Sequence, residues 1–403
     1  MRIVIAPDKF KGSLSAAQAA AAMEKGVLLS DTGAEVEVCP MADGGEGTVE
    51  AIAAATGAEV RESRVRGPLP GQEVVARWAL VPPAGARLTG AGEDLSGLLR
   101  RDEPLAVIEM AQASGFSLVP VDRRDPMVTS TFGTGELVLQ ALEAGCRQII
   151  VGVGGSGTVD GGTGMAAALG FRFLDAGGNE LTPGGACLEK IDVIDGSGRD
   201  PRLVQTRFVV ASDVDNPLTG PEGAAGVFGP QKGATPEQVA ALERGLENLA
   251  RLLHDRGMDV HDVPGAGAAG GLGAGLVGFC GATIVSGVQL IAVVTGLGER
   301  IAGADLVLTG EGSYDSQTAH GKTPAGVAAI ARQAGVPVVI LAGSIAPGSM
   351  ATDDIPAFSF VPGPMSLEDA MREAELLVVS GTERLMDLLT LLSRRDEPPA
   401  PAG

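Results

Sequence analysis

The chain has 403 residues, enough for a buried core and, at about 100–200 residues per domain, for two or three domains. Thirty Lys and Arg stand against 50 Asp and Glu, a formal net charge of −20, which excludes a sequence-independent nucleic-acid binder and a polybasic membrane-surface protein. Sixty residues are Gly, roughly twice the usual share of about 7%, without the period of three that collagen needs and among runs of Val, Ile, Leu and Ala that exclude wholesale disorder.

Residues 2–6 are expected as a strand, followed by a polar loop over 7–12 and an Ala-rich helix opened by a Ser15/Gln18 capping box. Residues 35–39 read as a second strand, with a helix after 43–47. Two such units in succession predict a parallel, doubly wound sheet. Residues 72–80 have strand composition, and the Pro- and Gly-rich stretch 82–97 reads as a domain boundary. Further strands are expected at 105–110, 148–153 and 207–211, with a helix from about 161. Thr235-Pro236 opens a long amphipathic helix over 235–255. The doubly wound rhythm returns with strands at 305–309, 336–341 and 355–360 and helices at 324–334 and 366–392. The two ends resemble each other more than either resembles the middle. The expected organisation is α/β: residues 1–92 and 288–392 as one discontinuous doubly wound domain, 93–287 as an inserted α/β domain, and 393–403 as a disordered tail.

Cys39, Cys146, Cys187 and Cys280 form no C-x-x-C pair, so four reduced, buried thiols in the cytoplasm are expected rather than a zinc site or a disulfide framework. The opening MRIVIAPDKF has no apolar signal core. Residues 264–298 carry no formal charge, but eleven are Gly, and Thr283, Ser286 and Gln289 interrupt the run. A buried loop with two core helices is expected there, not a membrane span. His254 and His261 lie on or after a polar helix and read as surface residues. With no G-x-S-x-G elbow, covalent hydrolase chemistry is disfavoured.

The polar loops follow strands, where open α/β sheets bind ligands. Lys9 and Lys11 in the loop 7–13 stand beside a helix N-terminus and suit an anion, although a solvated turn explains them equally. Asp43, among Gly44, Gly45 and Gly47, suits a ligand or Mg²⁺, or simply caps a helix. The hydroxyls of Ser130, Thr131 and Thr134 could hold a phosphate or carboxylate, or cap the helix behind them. Residues 152–157 match G-x-G-x-x-G, and Asp175 stands near the spacing of a ribose-binding acid, the fingerprint of a dinucleotide site. The same pattern recurs from Gly265 and Gly273, and chance alone supplies roughly one match in a chain this rich in Gly. Asp213 and Asp215, with Asn216, suit a hard cation with phosphate oxygens, or a turn before Pro217. Residues 309–323 hold the densest polar chemistry. Ser316 stands where a Walker A motif needs Gly, so this is no P-loop.

Taken together, PDKFKGSLSA (7–16), MADGGEGTVEA (41–51), EMAQASG (109–115), TSTFGTGEL (129–137), GVGGSGTVDGGTGM (152–165), DVDNPLTGPEGAAGVFGPQKGA (213–234), GAGAAGGLGAGL (265–276) and TGEGSYDSQTAHGKTP (309–324) resemble the bacterial type I glycerate kinase family, in family order. Gly157 and Val159 stand where the family often has Ala and Asn, and 286–289 lacks a usual acid. The resemblance implies a discontinuous flavodoxin-like domain with a second inserted α/β domain and an active site in the cleft between them. It implies phosphorylation of D-glycerate by ATP with Mg²⁺ and 2-phosphoglycerate as product; the cytoplasmic location is the one expected from the cysteines, and a homodimer is one option for an oligomeric state that the sequence leaves open. On this reading Asp213 and Asp215 hold Mg²⁺. Lys9, Lys11 and Lys322 neutralise phosphate or bind the glycerate carboxylate, and Asp315 or Asp43 takes the proton of the attacking hydroxyl. Asp8, Gly44, Gly45, Ser130, Thr131, Thr134, Gly154, Gly155, Ser156, Asp160, Asn216, Gly267, Gly270, Gly271, Glu311 and Gln317 are the expected substrate and nucleotide contacts. The competing readings are formation of 3-phosphoglycerate, an NAD-dependent dehydrogenase built on 152–157 and Asp175, and a sugar-acid sensor, for which no basic helix-turn-helix is present.

Overall fold

The computed structural model describes residues 1–83, 95, 97–314, 323–346 and 355–393. In chain order it contains β1 (Arg2–Ile5), α1 (Ala16–Ser30), β2 (Glu35–Val38), α2 (Thr48–Thr56), β3 (Glu59–Arg66), β4 (Glu73–Val81), β5 (Leu105–Glu109), α3 (Ala111–Ser114), α4 (Phe132–Glu143), β6 (Gln148–Gly152), α5 (Thr163–Ala168), β7 (Arg172–Leu174), β8 (Val193–Asp195), β9 (Arg207–Ala211), α6 (Ala224–Phe228), α7 (Pro236–His254), α8 (Ala268–Cys280), β10 (Thr283–Val285), α9 (Gly287–Thr295), α10 (Leu297–Ile301), β11 (Leu306–Tyr314), α11 (Thr323–Gln333), β12 (Val338–Ile345), β13 (Ala357–Ser359), α12 (Leu367–Arg372) and α13 (Ala374–Ser393).

One unit comprises Met1–Ala42 and Thr295–Gly403. Its sheet runs β13-β12-β11-β1-β2, and every pairing is parallel. Counted within the unit, this is the flavodoxin order 2-1-3-4-5, whose switch point lies between β1 and β11. The strands are apolar because helices cover both faces of such a sheet. Ile3, Ile5, Leu308 and Leu341 pack with Met23 and Val27 of α1 and Val378 and Met386 of α13. The Ser15/Gln18 capping box forms as the sequence predicts: Ser15 Oγ accepts from Gln18 N, and Gln18 Oε1 accepts from Ser15 N.

The other unit is Asp43–Val294. Its sheet runs β10-β9-β6-β5-β4-β3, parallel from β10 to β5 and antiparallel at β5–β4 and β4–β3. β5 and β6 are buried along their whole length. The predicted long helix is α7, opened by a Thr235/Gln238 capping box and turning Leu242, Leu246, Leu249 and Leu253 into the core.

The expected domain limits shift. β3, which the sequence did not announce, pairs with β4, and β4 pairs with β5 through Trp78↔Ile108. That ladder and the buried Trp78 hold residues 59–81 in the second unit, so the chain leaves the first at Ala42 rather than near 92. It returns at Thr295 rather than at 288. Residues 84–94 and 96 of the stretch 82–97, read as a boundary, and residues 394–403 of the expected tail lie outside the described residues. β11 continues to Tyr314, so residues 310–314, expected as loop, are strand, because they pair with β12 as far as Tyr314↔Ile345. Residues 264–298 form α8 and α9 with β10 between them, and among the described residues no helix is long and apolar enough to cross a membrane. All four cysteines are free and buried.

Candidate functional site

In the second unit, the loops leaving β6 and β9 and the loop ahead of α2 converge on a concavity of about 320 Å³. Asp43, Gly45, Val153, Gly154, Gly155, Ser156, Ala211, Ser212, Asp213 and Val214 line it, with Phe116, Phe228, Gln231, Lys232, Ala268 and Ala269. It lies at the carboxyl ends of parallel strands, the usual ligand position in an open α/β sheet.

Glycine makes this convergence possible. Gly44 has φ +85°, and a Cβ there would lie 2.7 Å from the Ala211 carbonyl oxygen. A Cβ on Gly154 would lie 2.6 Å from Gly45 Cα. The loop ahead of α2 and the loop after β6 therefore touch backbone to backbone, at a separation that side chains would prevent.

Two carboxylates stand on the wall. Asp43 Oδ1 accepts from Gly45 N at 3.0 Å. Asp213 Oδ1 accepts from Ser286 Oγ and from Gly287 N, each at 2.9 Å. Asp213 reaches solvent through the open concavity, yet the protein crowded around it and then the Asp43 charge push its carboxyl up to about 6, against those hydrogen bonds. Val214 continues the wall, while Asp215 is exposed and does not line it. The structure thus brings Asp43 and Asp213 to one concavity, while the turn after β9 leaves Asp215 outside its lining.

The concavity also holds Lys232, which the sequence reading passed over. It is 3% exposed, and its Nζ donates to Ser156 Oγ and to the Thr158 carbonyl oxygen, each at 2.7 Å. Burial pushes its pKa down to about 7, with Asp160 acting in the opposite sense. Ala269 has φ +55°, the one non-glycine left-handed residue among those described, and is followed by Gly270 and Gly271 in the same region. This strained turn shapes the wall.

Of the expected contacts, Asp43, Gly45, Gly154, Gly155, Ser156 and Asp213 are brought together here. Others have structural duties instead. Asp160 is fully buried and accepts from Thr131 N, Thr131 Oγ1, Gly162 N and Gly164 N, so its carboxylate pins two loops and leaves no face for a ligand. Thr131 is occupied by that carboxylate, and Thr134 is buried against Ser114 Oγ. Ser130 Oγ accepts from Phe132 N and lies on a separate concavity beside Arg66. Asn216 donates to Glu222 O. Gly44 packs on Ala211, and Gly267, Gly270 and Gly271 are buried against Pro217, Thr158 and Leu218, so their missing side chains admit protein rather than ligand.

In the first unit, the loop after β1 holds Asp8 and Lys9 at the switch point. Asp8 is buried, accepting from Lys9 N at 2.7 Å and from Thr323 Oγ1 at 2.8 Å, with Lys9 Nζ 3.8 Å away. Lys11 is exposed, and Glu311 is buried in β11. Asp315, Gln317 and Lys322 lie outside the described residues.

The dinucleotide reading loses its context. The helix after 152–157 starts only at Thr163, not at the third glycine. Asp175 closes its own turn just after β7, accepting from Gly177 N and Asn179 N between the bridged residues Leu174 and Glu180. His254 and His261 are exposed, as expected.

The fold and the site define an α/β enzyme with a small-ligand concavity built from glycine loops, two carboxylates and a buried lysine. The sequence model of the glycerate kinase family matches residues 3–390. The chain is 47% identical over 380 residues to a glycerate kinase of Halalkalibacterium halodurans, covering 93% of this chain and 95% of that one. It is 48% identical over 356 residues to the glycerate 2-kinase of Escherichia coli, covering 88% and 87%. A crystal structure described as glycerate kinase 2 of Salmonella typhimurium LT2 superposes with a TM-score of 0.83 at 44% identity, covering 98% of this chain and 99% of that one. The chain belongs to the glycerate kinase family, and it is a phosphotransferase.

Proposed function

We propose that the chain transfers the terminal phosphoryl group of ATP to a hydroxyl of D-glycerate, with Mg²⁺, giving 2-phosphoglycerate. The observation that carries the phosphoryl-transfer part is the convergence of Asp43, Asp213 and Lys232 on the glycine loop 153–156 at the carboxyl ends of β6 and β9. The 2-position rests on the name of the Escherichia coli relative.

Phosphoryl transfer asks a protein mainly for positioning and charge neutralisation. Among the described residues no cluster of three or more His, Cys, Asp or Glu could hold a metal. Mg²⁺ does not need one, since it is commonly held by one or two carboxylates with substrate phosphates and water. Asp43 and Asp213 fit that requirement: they share one wall, and the charge on Asp43 opposes ionisation of Asp213. They would hold the cation, which when bound neutralises charge on the phosphate oxygens. Gly154 and Gly155 bring bare backbone to the same wall, and Ser156 adds a hydroxyl. The resemblance supplies the remaining roles: Asp315 as the group that takes the hydroxyl proton, and Lys9, Lys11 and Lys322 toward the anionic substrate. The four buried thiols suit a reducing cytoplasm.

Incubation with D-glycerate, ATP and Mg²⁺ followed by NMR of the product tests the reading. The phosphorus of 2-phosphoglycerate couples to the proton on C2. Coupling to the C3 protons instead identifies 3-phosphoglycerate and overturns the regiochemistry. No phosphorylated product overturns the activity.

A further inference from the structure

Among the described residues Lys232 is the only cationic side chain lining the concavity of the second unit, and no carboxylate is hydrogen-bonded to it. Nearly all of its surface is buried, a position lysine rarely takes without a carboxylate partner. Its two acceptors, Ser156 Oγ and the Thr158 carbonyl, are neutral. An ammonium has three N–H donors. Among the described residues nothing accepts the third, and the side chain stands on the wall of the concavity. The short 3-10 turn Pro230–Lys232 holds its backbone, and the centroid of the Phe228 ring lies 5.9 Å from Nζ. A buried lysine whose charged form has a donor to spare, in one concavity with two carboxylates, is the arrangement that a polyanionic ligand with a bound cation would complete.

We propose that Lys232 is the phosphate-binding cation of this site: anchored by Ser156 and Thr158, it gives its remaining N–H to an oxygen of the nucleotide's phosphate chain. This rests on the kinase reading above. Lys232 touches the ligand and also braces the glycine loop, so that loop and ammonium present one rigid surface to the phosphates. The other titratable groups around it are Asp160 behind the glycine loop and Asp43 and Asp213 on the wall.

The test is calorimetric titration of wild-type protein and Lys232→Met with ADP and, separately, with inorganic tripolyphosphate. Met keeps the length of the stem and removes the buried charge, which offsets part of the cost of leaving Ser156 Oγ and the Thr158 carbonyl without their donor; the thermal midpoint of each sample establishes that it is folded at the titration temperature. Affinity for both probes should fall about 30-fold, the scale of a charge-assisted hydrogen bond. Turnover with ATP and D-glycerate should fall about 100-fold. Lys232→Met that binds either probe within about threefold of wild type overturns the proposal. Wild-type protein gives an independent reading. At about pH 8, ADP binding measured in two buffers of different ionisation enthalpy should take up most of a proton, as the amine charges against phosphate. The absence of uptake overturns the proposal even if the variant does not fold. Wild-type protein that neither binds ADP nor phosphorylates glycerate would refute the kinase reading instead.

Discussion

Glu109, at the carboxyl end of β5, accepts a 2.7 Å hydrogen bond from the amide of Val49 in the first turn of α2, sixty residues earlier in the chain. Gln112 Nε2 donates to its other oxygen at 3.3 Å. The buried carboxyl thus caps a helix whose preceding loop carries Asp43. It is one of the residues that hold that loop against the sheet, and it lies in the EMAQASG segment (109–115) that carries part of the family resemblance.

Burial, more than any neighbouring charge, pushes Glu109 up to about 7 from 4.5. Its folded pKa stands above the unfolded one, so the native state keeps the proton across that interval. Stability from this group is complete below the unfolded pKa and is lost as pH rises through the folded one. The loss amounts to about 3 kcal/mol. Glu109→Gln keeps an acceptor for Val49 and cannot ionise. Denaturant midpoints measured from pH 4.5 to 7.5 should therefore fall less steeply for Glu109→Gln than for wild type, and equal slopes would contradict the assignment.

The two carboxylates on the concavity wall separate from Asp215 in experiment. Asp213→Asn retains an acceptor for Ser286 and Gly287 but loses the charge. Initial rates against Mg²⁺ concentration should show half-saturation raised about tenfold and turnover reduced about 100-fold. Asp215→Asn, exposed and off the wall, should stay within about twofold of wild type. Equal effects at 213 and 215 would restore the sequence-based pair.

Asp160→Ala leaves the amides of Thr131, Gly162 and Gly164 buried without their common acceptor. The expected cost is about 3–5 kcal/mol. Urea denaturation should show it, and the activity of the remaining folded protein should show little change in KM. A large rise in KM with unchanged stability would return Asp160 to ligand binding.

Gly270→Ala places a Cβ 2.0 Å from the Thr158 carbonyl oxygen at a residue with φ +69°. That carbonyl is one of the two acceptors of Lys232. The substitution should cost about 3 kcal/mol and disturb nucleotide binding together with stability. Thermal unfolding and ADP titration on the same sample would show whether the two losses travel together.

Much of the fold was legible because local signals are strong where the chain is regular. The strand 207–211, the capping box at Ser15 and the long amphipathic helix opened by Thr235-Pro236 are legible directly. The errors fall where long-range pairing decides. β3 alternates charged and apolar residues in a pattern that a surface segment also shows, and only its ladder with β4 makes it sheet. Residues 310–314 carry loop composition, and pairing with β12 extends the strand through them. At the site, composition pointed to Asp160, Thr131 and the glycines at 267–271, polar or flexible groups beside a ligand-like loop. It could not show that these residues spend their hydrogen bonds and space on each other.

The amino-acid order alone determined the α/β class, the discontinuous pattern of the two ends, the glycine loops behind the strands and the family, because periodicity, capping and motif order are local properties of the chain. Tertiary structure decided which polar residues meet. It carried Asp215 outward and paired Asp213 with Asp43, it buried Lys232 with a donor to spare, and it moved the unit boundary to Ala42. Those outcomes depend on where a turn points and which strand accepts a neighbour, and these are set by contacts between residues tens to hundreds of positions apart.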